Sequence, residues 1–189
     1  SIAESKGHIL SSGFEHGILQ LYFPGTAQSA VSSALHMLGE IQENKSSHIS
    51  PKFVLILHHT TFLYGVAGSD EQAFPFLSSQ EMEFLSSYSS KLSAAGSKIV
   101  FTHQIKEILP DTYQKRYIGY VTDSSTQESY KLYELLDAYP ELERNLRIWY
   151  DKEFQEASQL LYRSDFYLVR TIFSNLARSC PSDGIIRWC

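Results

Sequence analysis

The segment Gly7–Phe23, GHILSSGFEHGILQLYF, is the most informative part of the sequence. Two apolar runs, His8–Ser12 and Gly17–Phe23, flank a polar corner at Glu15-His16-Gly17. These runs predict an antiparallel hairpin, because the glycine can take the positive φ angle that a tight turn needs. Connections of this kind often carry functional groups, and a metal ion or a phosphate could be held at this corner.

The composition is that of a folded protein that does not bind nucleic acid. Of the 189 residues, 43% are hydrophobic and 13% aromatic, which is enough for one domain with a modest appendage. A formal net charge of −5 and the lack of any run of Lys or Arg argue against binding to nucleic acid or to an anionic membrane surface. The expected partner is a protein or a small molecule.

Neither a membrane span nor a signal peptide is predicted. No apolar run approaches the roughly 20 residues that cross a bilayer, and Ser1–Lys6 lacks the charged-then-apolar order of a leader. Cys180 and Cys189 fit no zinc site and are poorly spaced for a disulfide framework. We therefore expect free, reduced thiols.

Hydrophobic periodicity predicts mixed helices and strands as far as Pro140. An amphipathic helix is expected at Thr26–Asn44 with Thr26 as its N-cap, and the continuous apolar run Lys52–His59 suits a central strand covered on both faces. The following elements are a second hairpin in Thr60–Gly68, a helix Ser79–Ala95 with Ser79 as its N-cap and Gly96 as its C-cap, a strand Lys98–Thr102, a short helix Gln104–Leu109, and strands Tyr113–Val121 and Glu128–Leu136. This order predicts an α+β fold with several antiparallel strand pairs.

From Glu141 onward only helical periodicity remains. Two apolar stripes, in Leu142–Leu161 and Phe166–Leu176, are separated by Arg163-Ser164-Asp165 and predict an antiparallel helical hairpin. Such a hairpin cannot bury its stripes alone, so it must dock on the rest of the chain or on another chain. Its aromatic residues are an alternative candidate for a peptide groove, although helical spacing favours core packing.

This order of elements resembles the later two-thirds of a class III nucleotidyl cyclase domain followed by a helical extension. The corner Glu15-His16-Gly17 aligns with the family's Gly-Asp-Gly turn, and Met82–Ser87 falls on the helix that reads Val-Asn-x-Ala-x-Arg in cyclases. The other anchors are Gly7, Leu57–Thr60, Gly65–Gly68, Arg116–Gly119, Tyr130–Glu134 and, in the tail, Phe154, Ala157, Tyr162, Asp165, Phe166, Phe173, Pro181 and Asp183.

The resemblance implies two parts. Residues 1–138 would be a degenerate cyclase homology domain, a ferredoxin-like sandwich whose first strand and helices are absent from this chain, and residues 139–189 a helical hairpin similar to a tetratricopeptide unit. Cyclase sites form between two domains, so the implied partner is a protein, in a homodimer or in a heterodimer with a cyclase-like domain. The implied location is the cytoplasm, with the chain either free or as the intracellular part of a larger membrane-attached protein.

The family's metal chemistry has no intact counterpart here. Cyclisation of a nucleoside triphosphate needs two divalent cations held by carboxylates. The resemblance implies that one metal-binding aspartate lies on the absent first strand and that the other corresponds to His16, a poor ligand for Mg²⁺. Glu15 is adjacent but points differently at a strand end. No metal or other cofactor is therefore predicted, and Mg²⁺ or Mn²⁺ would be needed only if the chain were active.

The catalytic positions are altered as well. The family's transition-state asparagine and arginine correspond to Glu83 and Ser87. An anion repels a triphosphate, and a short hydroxyl cannot replace a guanidinium on phosphate oxygens. The base-recognition positions correspond to Ser12 and Gln80, which lack the expected charges. These changes predict a non-catalytic pseudo-cyclase domain that acts in regulation or dimerisation within a cyclic-nucleotide signalling protein.

Two alternatives remain open at this stage. The chain could be part of an active adenylate or guanylate cyclase whose missing aspartate lies in sequence absent here, or a nucleotide sensor without turnover. His58 and His59, with His103, form another candidate metal site. Neighbouring strand residues face opposite ways, so the favoured interpretation puts one of the two adjacent histidines in the core and the other at the surface.

Overall fold

The computed structural model describes residues 8–13, 18–43, 53–69 and 72–188. The strands are β1 (His8–Gly13), β2 (Ile18–Tyr22), β3 (Leu55–Leu57), β4 (Leu63–Gly68), β5 (Ala73–Ser78), β6 (Ile99–Thr102), β7 (Lys115–Thr122) and β8 (Ser129–Leu135). The helices are α1 (Ala27–Glu43), α2 (Gln80–Ser87), α3 (Ser89–Ala94), α4 (His103–Ile108), α5 (Glu141–Tyr162), α6 (Phe166–Ser179) and α7 (Ile185–Trp188), with a 3₁₀ turn at Leu136–Ala138.

The predicted N-terminal hairpin is confirmed by the pairing of its strands. β1 and β2 run antiparallel, with His8 opposite Tyr22 and Gly13 opposite Ile18. The corner Glu15-His16-Gly17 lies outside the described residues.

A four-stranded mixed sheet in the order β3-β6-β8-β7 forms the centre of the fold. β3 and β6 are parallel, and the other pairs are antiparallel. The predicted central strand in Lys52–His59 is shorter than expected and lies at one end of this sheet, where it pairs with β6 alone among the described strands. The fully buried central strand is β6. A continuous apolar run indicates that both faces of a strand are covered by other elements. It does not show whether the strand lies at the edge or in the middle of the sheet.

The second hairpin is larger than the sequence indicated. β4 pairs with β5 in a separate two-stranded ribbon, and β5, which contains Pro75, was not predicted. A ribbon has open edges, where proline is tolerated. Gly68 has φ +144°, and a Cβ there would meet the Gln72 carbonyl oxygen at 1.9 Å. Only glycine therefore fits at this end of the ribbon.

The helix caps follow the sequence prediction, but one helix is divided. Ser29 N donates to Thr26 Oγ1 at 3.3 Å before α1, and Met82 N donates to Ser79 Oγ at 3.4 Å in the first turn of α2. The helix expected over Ser79–Ala95 breaks at Tyr88 into α2 and α3. Near this break, the hydroxyls of serines 86 and 87 donate to backbone carbonyls of the same helix, a contact that bends helices.

The sheet is covered on both faces. α1 and α4 pack on one face, in a core that includes Ile99 and Phe101, and α2, α3 and the C-terminal helices pack on the other, against Val100. Alternate residues of β6 thus point into opposite cores, as strand geometry requires. The first core contains Val31, Ala34, Leu38, Ile99, Phe101, Ile105, Leu109 and Leu135, and the second contains Leu85, Leu92, Val100, Ile118, Leu132, Phe154, Val169, Phe173, Leu176 and Ile185.

The C-terminal helical hairpin docks on this same chain, which is one of the two outcomes expected from its stripes. Among the tail aromatics, Phe154 and Phe173 are buried in the core that includes strands β6, β7 and β8, as predicted. The same prediction is wrong for Trp149, Phe166 and Tyr167, which are exposed. Cys180 is buried and free, and Cys189 lies outside the described residues. The division at residue 138 remains a prediction, and the parts on either side of it share one hydrophobic core.

A buried ionic cluster joins the tail to the sheet. Arg116 of β7 donates through Nη1 to Asp183 Oδ2 at 2.6 Å, and Nη1 of Arg147, in α5, forms an ion pair with Asp183 Oδ1 at 2.8 Å. Glu134 of β8 contacts both guanidinium groups, at 2.5 and 3.3 Å, and accepts a hydrogen bond from Tyr139 at 2.8 Å. Arg116 Nη2 lies close to Glu134 Oε1 as an ion pair without hydrogen-bond alignment. The cluster has equal numbers of positive and negative groups.

The charges in this cluster stabilise one another. Burial alone would lower the pKa of Arg116, but Glu134 and Asp183 outweigh burial and raise it. The same balance raises the pKa of Arg147. Because all four side chains are buried, removal of one of them leaves an uncompensated charge in the interior.

Candidate functional site

An acidic cleft of about 420 Å³ opens beside the N-terminal end of α2. It lies between the β4–β5 ribbon, the first turn of α2 and the turn that joins β7 to β8. Its lining residues are Thr61, Leu63, Ser78, Ser79, Gln80, Glu81, Asp123, Thr126, Glu128 and Tyr130. Three of these are carboxylates and none is a lysine or an arginine, so the lining is anionic.

His58 connects the wall of the cleft to the central sheet. His58 Nε2 lies 2.7 Å from Glu81 Oε2, and Nδ1 lies 2.8 Å from the hydroxyl of Thr102. The side chain of His58 is fully buried, whereas Glu81 is partly exposed to the cleft. When Glu81 is ionised, the matching tautomer donates from Nε2 to the carboxylate and accepts from Thr102 at Nδ1.

Burial and hydrogen bonding set the charges of this pair. Burial lowers the pKa of His58, although Glu81 acts in the opposite direction. Burial would raise the pKa of Glu81, but hydrogen bonds with Thr60 and His58 outweigh it and hold this pKa below its usual value. At neutral pH the arrangement is therefore a neutral imidazole bonded to a carboxylate.

The two other carboxylates of the cleft also have partners within the protein. The backbone N–H and the hydroxyl of Ser125 donate to Asp123 Oδ1 at 2.8 and 2.6 Å, and these bonds hold the pKa of Asp123 below its usual value. The hydroxyl of Tyr130 donates to Glu128 Oε2 at 2.6 Å. Each carboxylate is thus engaged before any ligand arrives.

Three of the positions that were predicted from the resemblance, Gln80, Glu83 and Ser87, lie on α2. Gln80 lies in the first turn and lines the cleft, while Glu83 and Ser87 lie one turn apart on the exposed side of the helix. The hydroxyl of Ser87 donates to the Phe84 carbonyl at 2.6 Å. Ser12 lies on β1, where it pairs with Leu19 of β2. His16 lies outside the described residues.

The histidines separate as strand geometry predicts. His58 is buried and His59 is exposed, while His103 begins α4. Among the residues that the structure describes, no group of three His, Cys, Asp or Glu side chains is arranged to hold a metal ion.

Sequence reasoning missed the link between His58 and Glu81. Glu81 carries a local signal, because a carboxylate in the first helical turn after a capping serine is favoured there. Its contact with His58 has no local signal, since the two residues are 23 positions apart and meet only when β3 and α2 pack together.

Two solved structures, both of bacterial light-regulated adenylyl cyclases, are similar to this chain in fold. Each has a TM-score of 0.56, with 12% and 13% sequence identity. The match covers 74% of this chain and 42% of the other, so the chain spans less than half the length of either cyclase chain. No family model and no curated protein matches.

At this identity the similarity concerns the fold alone. It supports a cyclase-like α+β fold, and the mixed sheet flanked by helices agrees with the predicted α+β class. No helix in the described ranges is long and apolar enough to cross a membrane.

Proposed function

We propose that this chain is a non-catalytic, cyclase-like domain that acts in regulation or dimerisation within a cyclic-nucleotide signalling protein. The observation that carries the proposal is the charge of the α2 surface. Glu83 stands where the resemblance implies a neutral donor, and the adjacent cleft is lined by three carboxylates without a cation. A triphosphate is strongly anionic and would be repelled by this surface.

The carboxylates of the cleft are poorly placed to bind a metal ion. Glu81, Asp123 and Glu128 already accept hydrogen bonds from other side chains of the protein. A divalent cation bound here would have to displace these donors. Binding of Mg²⁺ or Mn²⁺ at this surface would therefore have to offset the loss of these hydrogen bonds.

Pairing with another protein is supported by the β4–β5 ribbon. Leu63, Tyr64 and Val66 are all exposed by more than 60%, with Tyr64 and Val66 on one face of the ribbon and Leu63 on the other. A two-stranded ribbon is marginally stable by itself, and exposed apolar surface of this kind marks interaction sites. The partner is a second copy or a cyclase-like domain of another protein.

The first experiment measures catalysis. The purified chain is incubated with ATP or GTP and with Mg²⁺ or Mn²⁺, and cyclic nucleotide is measured. We expect none, and turnover by the wild-type chain would contradict the proposal. A rise in Tm with a nucleotide, but without turnover, would instead favour the nucleotide-sensor alternative.

The second experiment measures pairing. Sedimentation velocity is recorded for the wild-type chain over a range of concentrations, alone and with candidate cyclase-like domains. The variant Val66→Glu should weaken the association, and Gln28→Glu, which adds the same charge on the exposed side of α1, should not. A wild-type chain that stays monomeric and binds none of these domains refutes the proposal.

A further inference from the structure

Helix α6 exposes aromatic and cationic side chains on the side that faces away from the core. Its inner face is formed by the buried residues Val169, Phe173 and Leu176. On the outer side, Tyr167 is 83% exposed and stands at one end of a shallow groove of about 340 Å³. The groove is lined by Tyr167, Arg170, Thr171, Ser174, Asn175 and Arg178.

The two arginines of this groove lack carboxylate partners. Neither Arg170 nor Arg178 forms an ion pair with any of the residues that the structure describes. α6 itself contains no acidic residue. The outer face of α6 is therefore a positive surface in a chain whose net charge is −5.

The outer face of α5 has the opposite charge. Leu142 and Trp149 are 74% and 80% exposed and lie seven positions apart, on one stripe of the helix. Glu153 and Glu156 are exposed on the same side, and neither forms an ion pair with a described residue. The exposed charged residues of α5 are one cation, Lys152, and the three glutamates Glu141, Glu153 and Glu156, so the exposed side of this helix has a net negative charge.

The charged groups of the two helices also lie at similar positions along the axis of the hairpin. The helices run antiparallel from the turn at 163–165, so positions equally far from that turn are level with each other. Counted in this way, Glu153 and Glu156 fall between Arg170 and Arg178, and Trp149 falls next to Arg178.

We propose that a second copy of this chain docks on the outer face of the α5–α6 hairpin, with α5 of each copy lying against α6 of the other. A two-fold axis parallel to the helices keeps every residue at the same position along the helix axis. The contact between α5 of one copy and α6 of the other therefore forms twice in the dimer. Each contact sets Glu153 and Glu156 against Arg170 and Arg178 and covers the exposed aromatic side chains. This surface is separate from the β4–β5 ribbon, so the inference does not depend on pairing through the cyclase-like part.

Charge exchange tests the arrangement. One variant carries Arg170→Glu with Arg178→Glu, and a second carries Glu153→Arg with Glu156→Arg. In either variant alone, like charges meet across both contacts, and we expect the dissociation constant to rise by at least about tenfold. In a one-to-one mixture both contacts of the mixed dimer pair opposite charges again, so association should return.

Matched controls separate this contact from other effects. Lys106→Glu with Lys131→Glu reverses two exposed positive charges away from the hairpin and should leave sedimentation unchanged. Circular dichroism checks that every variant is folded. Association that is unaffected in both hairpin variants, or that fails to return in their mixture, overturns the inference. If both hairpin variants still associate and Val66→Glu does not, the hairpin contact is overturned and the ribbon pairing stands. A monomeric wild-type chain also overturns the hairpin contact.

Discussion

Replacement of Asp183 by asparagine removes one of the two carboxylates that balance the two buried arginines. Removal of one partner from a buried ion pair costs about 3–5 kcal/mol. Asparagine keeps one oxygen that can accept from Arg116 or Arg147, so we expect a loss near the lower limit, about 3 kcal/mol. Alanine keeps no acceptor, and for Asp183→Ala we expect about 5 kcal/mol.

Thermal and urea unfolding measure this loss. For a chain of this length, 1 kcal/mol corresponds to about 2–4 °C, so Asp183→Asn should lower the Tm by about 6–12 °C. Hydrogen exchange of the backbone amides of α5 and α6 reports on the tail, while circular dichroism reports on the whole chain. Because tail and sheet share one core, the two transitions should coincide in the wild-type chain.

Two comparisons make the test specific. Asp111 is fully exposed and lies 3.5 Å from Nζ of Lys115, which also donates to the Leu109 carbonyl, so Asp111→Asn should change stability by less than about 0.5 kcal/mol. The double variant Arg147→Met with Asp183→Asn should lose less than the sum of its single variants, because it removes both charges of one contact. A loss below about 1 kcal/mol for Asp183→Asn would refute the charge-balance argument, and two separate transitions would show that the tail unfolds independently.

Three further predictions concern single positions. Because folding lowers the pKa of His58, the unfolded chain binds more protons below pH 6.5, and stability should fall as the pH is lowered from 7 to 5. His58→Gln should flatten this dependence in urea titrations at each pH, and an unchanged slope would contradict the assignment. A Cβ at Gly184 would lie 2.3 Å from the Ala95 carbonyl oxygen, so Gly184→Ala should destabilise by about 1–3 kcal/mol. At Gly39, inside α1, a Cβ meets nothing within 4 Å, so Gly39→Ala should stabilise by about 0.5–1 kcal/mol; calorimetry that reversed this order would refute both glycine predictions.

Local signals in the sequence were sufficient for most elements. Thr26 and Ser79 each form the cap that their position predicts, and the N-terminal runs pair as a hairpin. These features depend on neighbouring residues, whose chemistry is visible in a short window. The α+β class followed from the order of such elements.

Features that depend on distant residues could not be read in this way. The ionic cluster draws its members from β7, β8, α5 and the segment before α7, and no spacing rule connects Arg116 with Asp183. The acidic cleft likewise joins the first turn of α2 to a turn of the central sheet. Periodicity identifies the faces of single elements, whereas clusters of this kind appear only after the elements pack.

The ionic cluster also constrains the order in which a newly synthesised chain can reach its native state. A nascent chain that ends within α6 already contains Arg116, Glu134 and Arg147, but it lacks Asp183. The positive charges then outnumber the negative ones, so closing the core over the sheet would bury an uncompensated cation. Closure of the core over the sheet therefore waits until the segment that contains Asp183 has been synthesised and has docked on Arg116 and Arg147.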